Sequence, residues 1–334
     1  MNHHISKLSL FLLVVIVSLG TFLQAQEQEQ SEWQEKSKER FKPLTAVDKN
    51  EISRAQPVNS GLESAQLKSK RILVFYRCEA FIHTSIPWAN FALQEMARKT
   101  EAFSVDLSDQ YSVFDQKNLE KYDAIVFNSS SSPNLNADQR EAILSFLKSG
   151  KGVIGIHMAT DFDSWEEGTA MIGGRWNGHP WTKDGNWAYK LNDPSHELNA
   201  AFGGNGFWYQ DEIYQYKPES YQGVENLRVL VSLDMSKEEV LTAMEVENYR
   251  KYKETYGDGA REVPVSWIRE YGKGRVFYTN FGHREETYAN QVIMKHLYDG
   301  ILYALGYTEL DATPTAKMPD TKASLAPMKM VIIR

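Results

Sequence analysis

Hydrophobic residues in this chain alternate between short strand-like runs and longer stretches with helical spacing. The run 71–76 is short, apolar and rich in branched residues, which predicts a strand buried on both faces of a sheet. Similar runs follow at 103–107, 122–128 and 152–157, with helical patterns between them. Strands that alternate with helices in this way pair in parallel through right-handed crossovers. We therefore predict an α/β fold with a doubly wound, mostly parallel sheet.

Three helices have clear sequence signals. The first follows the 71–76 strand and has Pro87 near its first turn, a position that proline favours. The second begins with Asn136 as N-cap and Gln139 three residues later, and it ends at Gly150. A third amphipathic helix is predicted over 290–305.

The region between the fourth strand and the last helix breaks this rhythm. From 161 onwards loops rich in Gly, Trp and Asn surround a single predicted strand at 228–233. The charged stretch 235–261 fits either a lid or a solvated helix, and the solvated helix is favoured. Further along, 264–269 and 275–280 are predicted to form a hairpin.

The first 25 residues have the pattern of an export signal. A weakly basic start precedes the apolar run 8–23, and Ala25 supplies a small residue before a polar stretch. The apolar run is shorter than the roughly 20 residues that a spanning helix needs. We expect cleavage after Ala25 and a periplasmic or secreted protein with no stable membrane anchor; an uncleaved anchor is the alternative.

The rest of the chain divides into three predicted segments. Residues 26–70 are polar and form an N-terminal extension with one short helix around 32–40. Residues 71–306 form the main domain. The tail 307–334 contains prolines and is predicted to lack stable structure until a short strand at 330–334.

Composition excludes several classes of function. The 334 residues are 42% hydrophobic and 24% charged, close to the averages of soluble globular proteins. A formal charge of -7, without clusters of basic residues among aromatics, argues against nucleic acid as a partner. The single cysteine, Cys78, leaves no pair for a disulfide or a thiolate metal site. Nothing in the sequence implies a nucleotide cofactor, and the oligomeric state stays open.

Histidines accumulate where ligands bind in open parallel sheets, beyond the carboxyl ends of the strands. A single loop histidine is more often a plain surface residue, but the shared placement of five favours ligands or proton carriers. These five are His83, His157, His179, His196 and His283. By contrast, His296 lies on the apolar stripe of the last helix and is predicted to be a hydrogen-bonded core residue.

Taken together and in order, several short segments resemble the ThuA-like family of trehalose utilisation. The segments are 71–74, 81–86, 155–161, 173–180, 193–196, 211–214, 264–267, 272–278 and 282–288. The resemblance covers roughly 71–306. It implies a class I glutamine-amidotransferase-like, flavodoxin-like three-layer fold and a role in disaccharide or keto-sugar metabolism.

The glutaminases of that fold provide an informative contrast. They have a nucleophilic cysteine at the strand end where His157 stands here, and their later His-x-Glu is similar to His283 and Glu285. Without a thiolate no thioester forms, so we predict no glutaminase activity. The comparison also implies that His157 and His283 face each other across one cleft. With a carboxylate from Asp161, Glu212 or Glu285 they could hold a divalent ion, or they could act as an acid and a base.

These features favour an exported carbohydrate-active enzyme, a lyase or hydrolase that acts by elimination, hydration or hydrolysis. The predicted catalytic residues are His157, His283, Asp161, Glu212 and Glu285, with Asp161 orienting an imidazole. A divalent metal, Zn²⁺ or similar, is predicted on His83, His157, His179 and His283. Three tryptophans, Trp176, Trp181 and Trp208, are predicted to stack on a small carbohydrate substrate. The alternative is a non-catalytic carbohydrate-binding or accessory protein, which needs no metal.

Overall fold

The computed structural model describes residues 28, 30, 32–62, 69–217, 220, 223–243, 262–318, 321–328 and 333. Three predicted features therefore lie wholly or mostly outside the described residues: the export signal, the charged stretch 235–261 beyond residue 243, and the strand at 330–334. Within the described ranges we find no helix with the length and hydropathy to span a bilayer. The chain divides into two compact units, 1–42 and 43–334.

The described part of the first unit is helical over 32–40. There the ring of Trp33 packs edge-on against Phe41, with centroids 6.1 Å apart.

One sheet of nine strands organises the described part of the second unit. The strands are β1 (Lys70–Phe75), β2 (Phe103–Ser108), β3 (Ala124–Asn128), β4 (Gly152–Ile156), β5 (Asn186–Leu191), β6 (Phe207–Gln210), β7 (Arg228–Leu233), β8 (Pro264–Tyr271) and β9 (Gly274–Thr279). Their order across the sheet is β2-β1-β3-β4-β9-β8-β7-β5-β6.

The sheet has a parallel and an antiparallel half. Pairing is parallel from β2 to β9 and antiparallel from β9 to β6. The protein is thus a mixed α/β protein with a large parallel region, as predicted, and the β8–β9 hairpin is also confirmed. Strands β5 and β6 were not predicted, because they lie in the stretch whose glycines and asparagines indicated loops.

Helices connect most of the strands. They are α1 (Ala46–Ala55), α2 (Ile86–Thr100), α3 (Gln116–Leu119), α4 (Ala137–Lys148), α5 (Glu166–Ile172), α6 (Gly223–Asn226), α7 (Glu238–Thr242) and α8 (Gln291–Ala304). Asn136 and Gln139 form the predicted capping box of α4. Helix α1 lies in the segment predicted as a polar extension, where a second capping box, from Thr45 and Asp48, starts it.

The hydrophobic core lies on both faces of the parallel half. Ile154 of β4 packs in one cluster with side chains of α2 and α8, whereas its neighbour Val153 packs in a second cluster with side chains of α4 and α5. Successive strand residues point to opposite faces, so helices cover the sheet on both sides.

The C-terminal tail binds the antiparallel half, although its prolines predicted no stable structure there. The backbone N–H of Val229 donates to Thr315 Oγ1 at 2.8 Å. Leu191 and Ser324 exchange two backbone hydrogen bonds of 2.9 Å. These contacts satisfy backbone groups of β7 and β5, a long-range effect that local sequence patterns do not report.

Candidate metal centre

Four side chains with metal-binding atoms converge at the carboxyl end of the parallel half. His83, His157, Glu212 and His283 each offer one donor atom, and these atoms all lie within 4.8 Å of one another. The three histidines follow β1, β4 and β9, which are parallel strands whose carboxyl ends share one edge of the sheet. Glu212 comes from the antiparallel half, two residues after β6.

His157 occupies a strained turn directly after β4. Its φ of 50° is in the left-handed region, which costs a residue with a side chain roughly 1–2 kcal/mol. The hydroxyl of Tyr278 donates to the backbone carbonyl of His157 at 2.6 Å and so stabilises the turn. Gly155 leaves room for the Tyr278 ring, since a Cβ at position 155 would lie 2.8 Å from Tyr278 Cδ2.

Hydrogen bonds select the tautomer of His157. Its Nδ1 lies 2.8 Å from the backbone carbonyl oxygen of Asn280, an acceptor, so Nδ1 carries the proton and Nε2 has the lone pair. The hydroxyl of Tyr214 donates to Nε2 at 2.5 Å. Burial keeps the pKa of Tyr214 well above its ordinary value, so this hydroxyl stays protonated. Because an imidazole nitrogen has one lone pair, a metal ion bound at Nε2 would have to replace this hydrogen bond.

Glu212 supplies the negative charge of the site. Its Oε2 lies 2.9 Å from His283 Nδ1 and 3.6 Å from His157 Nε2, and these two ring nitrogens are 3.3 Å apart. Burial by itself raises the pKa of Glu212, but hydrogen bonds and charge from the two histidines, when their rings are protonated, outweigh burial and hold it well below its ordinary value. The carboxylate is therefore ionised and available as a ligand.

Asp211 connects the loops that carry Glu212 and His283. This fully buried carboxylate accepts hydrogen bonds from the backbone N–H groups of Gly282 at 2.8 Å and Arg284 at 3.1 Å, the two neighbours of His283. It also accepts from the N–H of Glu212 at 2.9 Å. Burial raises the pKa of Asp211, although these hydrogen bonds act against that rise.

The His83 loop is attached to the same assembly. Ser85 Oγ donates to the carbonyl of Gly282 at 2.7 Å. The His83 ring stands edge-on to the other two imidazoles, with centroids 4.7 Å from His157 and 5.1 Å from His283. The loops after β1 and β9 are thus tied directly together.

His179 lies at the mouth of the site, outside the group of four. Its side chain is 52% exposed, and its Nδ1 is 3.5 Å from Glu212 Oε1. The ring stacks on Trp176 with centroids 6.3 Å apart. Backbone bridges pair Trp176 with Tyr216 and Trp181 with Ile213, which brings this glycine-rich loop beside Glu212.

Two predicted carboxylates lie elsewhere. Asp161 accepts a hydrogen bond from Ser132 Oγ at 2.8 Å and is not one of the four converging side chains. Glu285 begins a 3-10 turn after His283 and is not one of the four converging side chains.

The structure corrects the stacking role predicted for Trp181 and Trp208. Both rings are fully buried. Their indole N–H groups donate to the backbone carbonyls of Val240 at 2.8 Å and Pro327 at 3.0 Å. Neither ring offers a face to a ligand, whereas Trp176 is only partly buried.

The remaining histidines have structural surroundings. His196 caps a 3-10 turn by accepting from the N–H of Leu198, and its Nε2 donates to Asp311 O at 3.1 Å. His296 is fully buried, with hydrogen-bond partners on both ring nitrogens, as predicted for a core histidine.

Comparison of the sequence with known protein families identifies the family of this chain. Residues 71–304 match the sequence profile of ThuA, described as trehalose utilisation. The chain belongs to the ThuA family. The resemblance noted in the sequence is thereby confirmed over nearly its whole predicted span. The comparison with curated proteins gave no match.

The chain is similar to solved structures of two ThuA-like proteins. One, from Bacteroides uniformis ATCC 8492, is 18% identical with a TM-score of 0.53 and covers 73% of this chain and 94% of its own. Another, from Parabacteroides merdae ATCC 43184, is 14% identical with a TM-score of 0.49 and covers 73% of this chain and 93% of its own.

The donor set of this ThuA-family protein fits a divalent transition-metal ion. Metal–ligand bonds of about 2.0–2.1 Å in a tetrahedron separate the ligand atoms by roughly 3.3 Å. The observed separations are 3.3 Å between the two imidazole nitrogens, 3.6 Å from His157 to Glu212 and 2.9 Å from His283 to Glu212, which lie on both sides of that value. The hydrogen bond from His157 Nδ1 to a carbonyl is also the usual support of a metal-bound histidine.

Three residues that support the site received no role from the sequence of this ThuA-family protein. Asp211, Tyr214 and Asn280 lie within or directly before segments that carry the family resemblance, which is the one signal that could have singled them out. Their partners are far away in the chain: Asp211 and Gly282 are separated by 71 positions, and His157 and Asn280 by 123. Short-range spacing cannot reveal such contacts.

Proposed function

We propose that this ThuA-family protein is an exported, metal-dependent enzyme that acts on a carbohydrate. One observation carries the proposal: three histidines and one glutamate, largely buried, bring their donor atoms within 4.8 Å of one another. Burying an ionised carboxylate is costly unless it is paired or binds a metal. Three imidazoles and a carboxylate suit Zn²⁺ or a similar ion.

The proposed substrate is a disaccharide or keto-sugar, in keeping with the family description of trehalose utilisation. A ketone acidifies the neighbouring C–H bond, and a bound divalent ion would polarise the ketone oxygen as a Lewis acid. His179, exposed at the mouth and 3.5 Å from Glu212, is the group that would move a proton between substrate and solvent. Elimination or hydration is the reaction that this arrangement supports, and hydrolysis is the further possibility.

The chain's own residues would hold the ligands before substrate arrives. The backbone carbonyl of Asn280 accepts from His157 Nδ1 and so fixes the imidazole ring. The side-chain oxygen of Asn280 accepts from the backbone N–H of Tyr214 at 3.0 Å and so fixes the backbone there. Asp211 fixes the backbone on both sides of His283. Such preorganisation lowers the cost of assembling the site.

We also propose the finer fold assignment, a class I glutamine-amidotransferase-like three-layer fold. The parallel order β2-β1-β3-β4-β9 has the arrangement of flavodoxin-like sheets, with β9 in the fifth position. Helices on both faces of the parallel half support the same assignment. An experimental structure whose parallel strands superpose on a glutaminase, with His157 at the nucleophile position, is the expected result.

The functional experiment uses full-length mature protein purified without a histidine tag. Metal content is measured first, and trehalose, maltose and their 3-keto derivatives are then followed by NMR with the loaded protein. We expect turnover of at least one keto-sugar. His179→Asn should lower turnover about 100-fold or more without changing metal content.

His196→Asn is the matched control, because asparagine also caps the turn that His196 begins. It should keep full turnover. Binding of sugars without conversion of any of them, and without bound metal, would instead identify a non-catalytic carbohydrate-binding protein.

A further inference from the structure

Phe81 is an exposed aromatic side chain at the edge of the metal centre. It is 50% exposed, and its ring lies edge-on to the buried His83 ring with centroids 4.7 Å apart. The other exposed large hydrophobic residues in the described part of the chain are aliphatic: Val47, Val58, Leu325 and Met328. An aromatic ring is thus displayed to solvent directly beside a candidate ligand.

The backbone that carries Phe81 is held in place. Ser131 Oγ donates to the carbonyl of Phe81 at 3.1 Å, and the N–H of Glu79 donates to the carbonyl of Ser131 at 2.9 Å. These bonds attach the loop after β1 to the loop after β3. A ring on an anchored backbone loses less conformational entropy when a ligand covers it.

A second aromatic surface lies beside Glu212. His179, beside Glu212, stacks on the partly buried Trp176. The centre is therefore flanked by Phe81 on the His83 side and by these two rings on the Glu212 side. Since Trp181 and Trp208 are buried, the stacking role that the sequence assigned to those tryptophans needs another aromatic side chain.

We propose that Phe81 is a substrate-binding platform that stacks on the apolar C–H face of a pyranose ring. The inference rests on the proposed function, in which the metal centre is where a carbohydrate reacts. A closed pyranose offers a flat C–H surface to an aromatic face, whereas an acyclic polyol offers none of fixed shape. Phe81 thus favours cyclic sugars over acyclic polyols at this site.

Affinity measurements on the metal-loaded protein test the platform. The probes are trehalose, which contains two pyranose rings, and sorbitol, an acyclic polyol, each titrated by calorimetry. Phe81→Ala and Phe81→Leu should weaken trehalose binding roughly tenfold, while Phe81→Trp retains it. Leucine keeps apolar bulk but lacks the flat face, so it separates stacking from general hydrophobicity.

Leu325→Ala is the control, because Leu325 has nearly the same exposure, 53%, and lies next to Gly206 just before β6 at the far edge of the sheet. It should leave trehalose affinity unchanged. Metal content and melting temperature should stay the same in every variant, since Phe81 is neither a ligand nor buried.

Three results would overturn the platform: equal trehalose affinity in all variants, no trehalose binding by the wild-type protein, or an equal loss for sorbitol. These are distinguishable from failure of the proposed function. Trehalose binding that depends on Phe81 in a protein that binds no metal and converts no sugar leaves the platform standing and removes the enzyme. Metal binding and sugar turnover that do not depend on Phe81 leave the enzyme standing and remove the platform.

Discussion

Asp211 supports the candidate metal centre without contributing a ligand to it. Its two oxygens accept from backbone N–H groups on both sides of His283 and from Glu212. A carboxylate has acceptor sites for all of these donors, whereas an amide presents one oxygen and an N–H₂ group that opposes them. The two acceptor oxygens of Asp211 thus hold together the two loops that carry Glu212 and His283.

Asp211→Asn should therefore weaken metal binding about 10- to 100-fold, the usual effect of losing a residue that supports a ligand. Calorimetric titration with Zn²⁺ measures the change, and circular dichroism verifies folding. Asp184→Asn, the same substitution at an exposed position, should leave metal affinity as it is. A folded Asp211→Asn protein with wild-type affinity would refute the role given to Asp211.

Cys78 is the one thiol, and its environment makes it inert. Burial raises its pKa to about 12, and Sγ lies 3.1 Å from the carbonyl of Ser129. At neutral pH it is a protonated thiol, and in the proposed fold assignment His157 stands where a glutaminase has its nucleophile. We predict that ammonia release from glutamine will not exceed that of a blank. Release that Cys78→Ala abolishes would contradict this prediction.

Elements with strong local signals were predicted well, and the others were not. The apolar runs of β1, β3 and β4 and the capping box at Asn136 appear directly in the sequence. Helix α1 was missed because its buried residues are only Ile52 and Ala55, too few to show a periodic stripe. Strand β5 buries Trp187, Ala188, Tyr189 and Leu191, but the glycines and asparagines around it indicated loops.

Helix α8 is joined to its neighbours by a buried histidine. His296 Nδ1 lies 2.7 Å from the carbonyl of Leu198, and Nε2 lies 2.8 Å from Ser266 Oγ of β8. Burial lowers the pKa of His296 from 6.5 to about 4. Between these two pH values the unfolded chain binds more protons than the folded one, so stability falls as the pH drops through that window.

Replacing this histidine should change the pH dependence of folding. His296→Gln should lower the free energy of unfolding at pH 7.5 by more than at pH 4.5, because only histidine is protonated on unfolding in acid. One group contributes at most about 1.4 kcal/mol per pH unit. Denaturant titrations at both pH values measure the difference, and equal losses at both would contradict the account. Turnover per folded molecule should be nearly unchanged.

At the scale of the whole molecule, the site depends on the junction of the two sheet halves. Its three histidines follow parallel strands, so their convergence could be expected from the sequence. Glu212 enters from the antiparallel half, beyond strand β6, which was not predicted. Glu212 was proposed only through the family resemblance, since no local spacing relates it to His157 or His283. Long-range pairing between strands decides where it lies.

Export also concerns the molecule as a whole. The apolar run 8–23 before Ala25 leads us to propose cleavage after that residue, giving a mature chain that begins at Gln26. The intact mass of protein recovered from the periplasm or medium of the native host measures this. Retention of residues 1–25 would contradict the proposal.

The metal content of tag-free protein tests the central claim most directly. Wild-type protein is loaded with Zn²⁺, freed of excess metal and analysed by inductively coupled plasma mass spectrometry. It should retain about one Zn²⁺ per chain, and so should the His196→Asn control. Folded His157→Ala and His283→Ala proteins should each lose it, and the double variant should be scarcely worse than either, because the ligands act as a unit. Full metal content in both folded single variants would show that these histidines do not form a metal centre.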